Sequence, residues 1–163
     1  MRNSFLRLAL YVLAVLLSVV KPIYDLTRMT LPAACQPFDG AVWLGFAPLI
    51  VAVLLIPIAI ITERSNNHQS GLIVSLLSIV TIILGFANVY AGSGIQHDDT
   101  VATHWMEYVY FSATTFTTLG YGDFVPCPGV RLFTSLEALF GLLYGPLLVG
   151  LSVNKFLSLR ARR

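Results

Sequence analysis

The sequence predicts an all-α membrane protein with three or four transmembrane helices and a re-entrant element between the last two. Composition is the first sign: 56% of the 163 residues are hydrophobic and 11% charged, against about a quarter charged in soluble domains. Second, two long runs carry no Asp, Glu, Lys or Arg, from Gly40 to Thr62 and from Ser65 to His97. Third, the apolar and aromatic stretch between Glu107 and Asp123 holds only 15 uncharged residues, too few for the roughly 20 a crossing needs. The net charge of +2 provides no electrostatic basis for nucleic-acid binding. The spans use up about half the chain, so no separate soluble domain is expected.

The elements follow in chain order. In the N-terminal run, 13 residues, Leu8 to Val20, separate Arg7 from Lys21. Two readings stand: an anchored span from Phe5 to Tyr24 with Arg7 and Lys21 snorkelling to the interfaces, or a secretory signal peptide with a basic start. Gly40 to Thr62 is the next span. Its Pro48 and Pro57 are read as kinks, because neighbouring helices can satisfy the freed carbonyls in a bilayer. The following span centres on Leu72 to Tyr90. The last, Val130 to Val153, encloses a single acid, Glu137, and a buried ionisable group in a span is a functional candidate. Between these two, 13 helical residues from Trp105 to Thr117 would descend about 20 Å. Five extended residues, Thr118 to Gly122, would climb back about 16 Å. Both legs reach mid-membrane.

The return leg and its flanks read Thr117, Thr118, Leu119, Gly120, Tyr121, Gly122, Asp123. This stretch resembles the selectivity-filter signature of the potassium-channel pore-domain family, in which Thr-x-Gly-Tyr-Gly-Asp follows a short pore helix. The resemblance covers Glu107 to Val153, with Leu72 to Tyr90 in the outer-helix place; the first 70 residues carry none. Leu119 stands where many members have Val. A dehydrated potassium ion exchanges its water shell for backbone carbonyls only if successive carbonyls face one way. That arrangement requires left-handed dihedrals at alternate positions, which glycine adopts without steric cost. By resemblance, the ion-binding residues are Thr118, Leu119, Gly120, Tyr121 and Gly122. The potassium ligands are the carbonyls of Thr118, Leu119, Gly120 and Tyr121, with the Thr118 hydroxyl. The Tyr121 ring is expected to turn away from the axis and brace the filter.

Filter support is assigned to Asp123, Tyr110, Thr114, Thr117 and Glu137. Asp123 resembles the family acid behind the outer mouth, and Tyr110 occupies the helix position where some members have Trp, so its hydroxyl is the expected donor. Thr114 falls where some members have an acid, and the carboxyl pair of those channels is absent. The dipole of the pore helix directs partial negative charge from the Thr117 end toward the cavity. Gly141, Gly145, Pro146 and Gly150 are gating-hinge candidates, with close helix packing as the alternative.

If the filter opens outward, the C-terminus is cytoplasmic. The cytoplasmic side then holds Arg2, Arg7, Arg64, Lys155, Arg160, Arg162 and Arg163, against Lys21, Arg28 and Arg131 outside, as the positive-inside bias requires. Cys35 and Cys127 both fall outside, where an oxidising compartment would permit a disulfide. His97, Asp98, Asp99 and His104 are read as a solvated turret, with local cation attraction or pH sensitivity near the mouth as the sharper alternative.

The expected organisation is a membrane region over 1–70, a pore domain over 71–153 and a short basic tail over 154–163 whose arginines anchor to lipid. One filter strand per chain predicts a homotetramer. No span carries the repeated basic residues of a voltage sensor. The functional expectation is a passive potassium-selective channel in a prokaryotic cell membrane, with no cofactor beyond the permeant ion. A weakly selective cation channel and a non-conducting scaffold or modulatory subunit are the alternatives. No catalytic triad, metal-ligand spacing or phosphate-binding glycine loop is present, so no enzyme is expected.

Overall fold

The computed structural model describes residues 20, 23–24, 27–28, 30–37 and 68–160. The N-terminal reading of 1–24, the span over 40–62 and Arg162 and Arg163 lie wholly or mostly outside these residues. The rest is built on three helices. Helix α1 runs His68–Ser93, α2 Trp105–Phe116 and α3 Arg131–Arg160. At 1.5 Å per residue α1 is about 39 Å long and α3 about 45 Å, both longer than the roughly 30 Å apolar layer of a bilayer. Over the described residues taken alone, no helix is long and apolar enough to cross a membrane. The spans over 72–90 and 130–153 therefore rest on the sequence runs themselves.

The C-terminal half of α1 is buried, from Ile82 through Phe86, Val89 and Tyr90 to Ala91. Gly94 ends it, donating to the Tyr90 carbonyl at 2.7 Å. Its φ is +100°, and a side chain there would press on Cys127 Sγ and Val101. Glycine meets both the left-handed backbone and the close approach.

The all-α expectation is corrected immediately after this turn. A small antiparallel sheet of order β2-β1-β3 occupies the turret, from β1 (Ile95–His97), β2 (Thr100–Val101) and β3 (Val125–Pro126). Gln96 faces Val101 on one side and Val125 on the other. Asp98 and Asp99 form the β1–β2 turn with φ of 44° and 64°, the positive values that two-residue hairpins demand. Pro126 lies on an edge strand, where its missing N–H costs no interior ladder bond. Ile95 is fully buried, so the turret has its own packed side.

Helix α2 starts where its sequence provides a cap. Met106 N–H donates to His104 Nδ1 at 3.2 Å, and Glu107 Oε2 accepts the amides of Thr103 and His104, each at 3.0 Å. This is a reciprocal capping box with the acid at the positive end of the helix dipole. Tyr108, Phe111, Ser112 and Phe116 form its buried stripe, at the three-and-four spacing of an amphipathic helix. The stripe packs between α1 and α3, where Tyr90 meets Phe111 edge-on at 5.0 Å.

A short 3-10 turn, Pro128–Val130, leads into α3. Just before it, Cys127 is joined to Cys35 by a disulfide with Cα atoms 5.6 Å apart, across 92 residues of sequence. Gln36 N–H donates to Ser93 O at 2.9 Å and Cys127 N–H to Gly94 O at 3.3 Å. Residues 30–37 are thereby tied to the end of α1 and the start of α3. Within the single chain α3 leaves Leu132, Leu139, Leu142, Leu143 and Leu147 exposed.

Candidate functional site

Helix α2 delivers the chain to residues 117–123. Its last turn is closed by Thr117, whose amide donates to Ala113 O and whose Oγ1 donates to the same carbonyl at 2.7 Å. The next amides stay attached to α2. Thr118 N–H reaches Thr115 O at 2.9 Å, and Leu119 and Gly120 N–H both reach Thr114 O, at 2.9 and 3.1 Å. Thr114 thus supports the loop through its backbone, while its buried hydroxyl donates to Phe111 O.

Beyond this anchor the backbone is not a plain extended strand. Thr118, Gly120 and Gly122 have φ of 57°, 49° and 78°, so left-handed residues recur at every second position. Two of the three are the glycines that the carbonyl argument singled out. The third is a β-branched threonine, for which positive φ is a true outlier and therefore a strained position at a candidate site. Residues 117–123 are all exposed in the single chain. Leu119 is 57% and Tyr121 65% exposed, high for apolar and aromatic groups.

Asp123 is held at both ends. Its carboxylate accepts the Tyr110 hydroxyl at 2.9 Å, and its backbone carbonyl lies 2.7 Å from His97 Nδ1. A carbonyl can only accept, so Nδ1 carries the proton in this contact. Tyr121 stacks parallel to Tyr110, with ring centroids 6.3 Å apart, and Phe124 packs against both Tyr110 and His97. The sequence paired Tyr110 with Asp123 by resemblance and put His97 in the turret near the mouth, but did not pair His97, 26 residues away on β1, with Asp123.

The bond to the Asp123 carbonyl, and then the Asp98 carboxylate 3.4 Å from Nε2, hold His97 above its ordinary value near 6.5. A histidine raised in the folded state contributes stability that is fully present below its unfolded value and is lost as pH rises through the folded one. We therefore expect the His97 ring to titrate in an NMR experiment with a midpoint above about 6.5, and the midpoint to fall on Asp98→Asn. A midpoint at or below 6.5 would contradict this bracing of Asp123.

Behind the loop, Glu137 is fully buried. It contacts Tyr90 of α1 and Ser112 of α2, neither of which the sequence marked as a partner. The only available signal was the isolation of one acid in an apolar run. Of the hinge candidates, Gly141 packs directly against the Phe116 carbonyl at the end of α2, whereas Gly145 and Gly150 have open space where a Cβ would stand. Pro146 lies inside α3.

Two long helices thus flank a short one whose C-terminus carries a strained and exposed loop. Residues 72–158 match the family described as "Ion channel", a match over more than half of the chain. The chain belongs to that family and is a membrane ion channel. No curated protein and no solved structure matches it.

Proposed function

We propose that the protein is the subunit of a passive, potassium-selective channel without a voltage sensor, in which four copies surround one axis. The observation that carries this reading is the alternation of left-handed residues at 118, 120 and 122. Such alternation turns successive carbonyls toward one side, and a ring of carbonyls replaces the hydration shell of the ion. The carbonyls of Thr118, Leu119, Gly120 and Tyr121, with the Thr118 hydroxyl, are the proposed ligands, and Gly122 completes the filter. One chain supplies one wall of such a ring. The exposure of Leu119, Tyr121 and the α3 leucines in the single chain supports further copies around them. The Cys35–Cys127 disulfide supports an exterior turret; the protein we propose is multi-pass with a cytoplasmic C-terminus, in a prokaryotic cell membrane. It conducts rather than catalyses and requires no cofactor.

The test is the reversal potential of the purified protein in a planar bilayer, with potassium on one side and sodium on the other. The expected result is a shift toward the potassium equilibrium potential. Current reversing near zero would mean a weakly selective cation pore. A protein that carries no current and is monomeric in mild detergent would be a scaffold or modulatory subunit.

A further inference from the structure

Three short polar contacts join the three helices at Glu137. Glu137 Oε2 lies 2.5 Å from the Tyr90 hydroxyl. Its Oε1 lies 2.5 Å from Ser112 Oγ, and Ser112 Oγ lies 2.8 Å from the Ile83 carbonyl. Each contact needs one hydrogen. The Ile83 carbonyl can only accept, and the hydroxyls of Tyr90 and Ser112 supply one hydrogen each. Three contacts and two hydroxyl hydrogens leave one to be found, and Glu137 is the remaining source. For these three contacts the assignment is Tyr90 donating to Oε2, Oε1–H donating to Ser112 Oγ, and Ser112 donating to Ile83; the Thr134 hydroxyl, which also bonds the Tyr90 oxygen, carries its own hydrogen and takes none from the three.

An ionised Glu137 would leave one pair of oxygens facing each other with no hydrogen between them. It would also be a bare charge. The carboxyl is 0% exposed, and among the described residues no cation pairs with it; Tyr90 is the titratable group that faces it. A buried charge without a partner is among the costliest features a fold can carry.

We infer that Glu137 is a neutral carboxylic acid that positions the pore helix, taking a hydrogen from Tyr90 on α1 and giving one to Ser112 on α2. The significance lies in what α2 carries: Thr114, half a turn beyond Ser112, accepts the amides of Leu119 and Gly120. The chain of bonds therefore sets the depth and rotation of α2, and with it residues 118–122. The inference rests on the pore reading above for its functional consequence, but the protonation state has a readout of its own.

The experiment uses the full-length protein in lipid bilayers, with three variants. In Glu137→Gln, the amide oxygen accepts from Tyr90 and the amide N–H donates to Ser112, so the pattern survives. Its potassium-to-sodium permeability ratio should match the wild type. Glu137→Leu removes both bonds, and the ratio should fall about tenfold, the scale of one lost buried hydrogen bond. Ser112→Ala cuts only the link to α2, and should give a similar fall if Glu137→Leu does not assemble. The infrared difference spectrum of Glu137→Gln against wild type should lose a protonated-carboxyl C=O band. Loss of ionised carboxylate bands instead would overturn the neutral acid, as would a Glu137→Gln ratio as low as that of Glu137→Leu. A wild-type ratio in Ser112→Ala would overturn the positioning role. Absence of wild-type potassium current would count against the pore reading alone, because the infrared result is independent of conduction.

Discussion

Replacing Gly120 by alanine should abolish potassium current while leaving the subunits folded and assembled. The backbone at Gly120 has φ +49°, and the space where a Cβ would stand is open. The cost is therefore conformational, about 1–2 kcal/mol for an alanine held left-handed. That is small against folding stability but would be repeated in each of the four subunits of the proposed tetramer. The loop relieves the strain by rotating the adjacent peptide planes, which turns a carbonyl out of the proposed ring. Thr118 already carries one strained φ at 57°, with its N–H hydrogen-bonded to the Thr115 carbonyl, so little tolerance remains for a second. Single-channel recording beside an oligomer assay measures both halves. Wild-type potassium current through Gly120→Ala would remove the filter assignment.

Gly141→Ala should have the second large effect, for a different reason. Here φ is ordinary and space is the constraint, because an added Cβ would land on the backbone carbonyl of Phe116. Both elements are helical backbone, so neither yields as a flexible side chain would, and α3 must move away from the end of α2. Overpacking of this kind costs about 1–3 kcal/mol. The displaced segment carries the Thr114 carbonyl that anchors Leu119 and Gly120. The expected outcome is a lower thermal midpoint in detergent together with lost potassium flux. Gly145→Ala and Gly150→Ala, which meet open space within the single chain, should keep the stability of the subunit. A Gly141→Ala protein with normal stability and flux would return Gly141 to the hinge candidates.

Much of the helical framework was legible before any coordinates. Glu107 and Asp123 bracket an apolar stretch too short to cross, and the helix expected over 105–117 is found at Trp105–Phe116. The runs centred on 72–90 and beginning at 130 lie within or against α1 and α3, because long uncharged runs leave few alternatives to a helix. The turret was not legible. Strands of two or three residues are too short to display a period of two, and 91–104 reads as polar loop although Ile95 and Ala102 are buried beneath it. The Tyr110 to Asp123 bond could be anticipated because the resemblance puts an acid behind the mouth opposite a pore-helix donor, and both residues sit on the same short helix–loop unit. The His97 contact with the Asp123 carbonyl could not, because no side-chain pattern records which backbone oxygen a distant ring will meet.

The sequence by itself determined a membrane chain and the placement of its short helix, from apolar length and charge position, and the glycines at 120 and 122, from glycine's freedom at positive φ; the channel reading came from the resemblance of residues 117–123 to a filter signature. Only the tertiary structure decided that Cys127 meets Cys35, that Gly141 is where α2 rests, and that Tyr90, Ser112 and Glu137 converge. These depend on how three helices and a small sheet approach one another. Such contacts arise between residues 25 to 92 positions apart, where packing geometry and the need to satisfy buried polar groups select the partners.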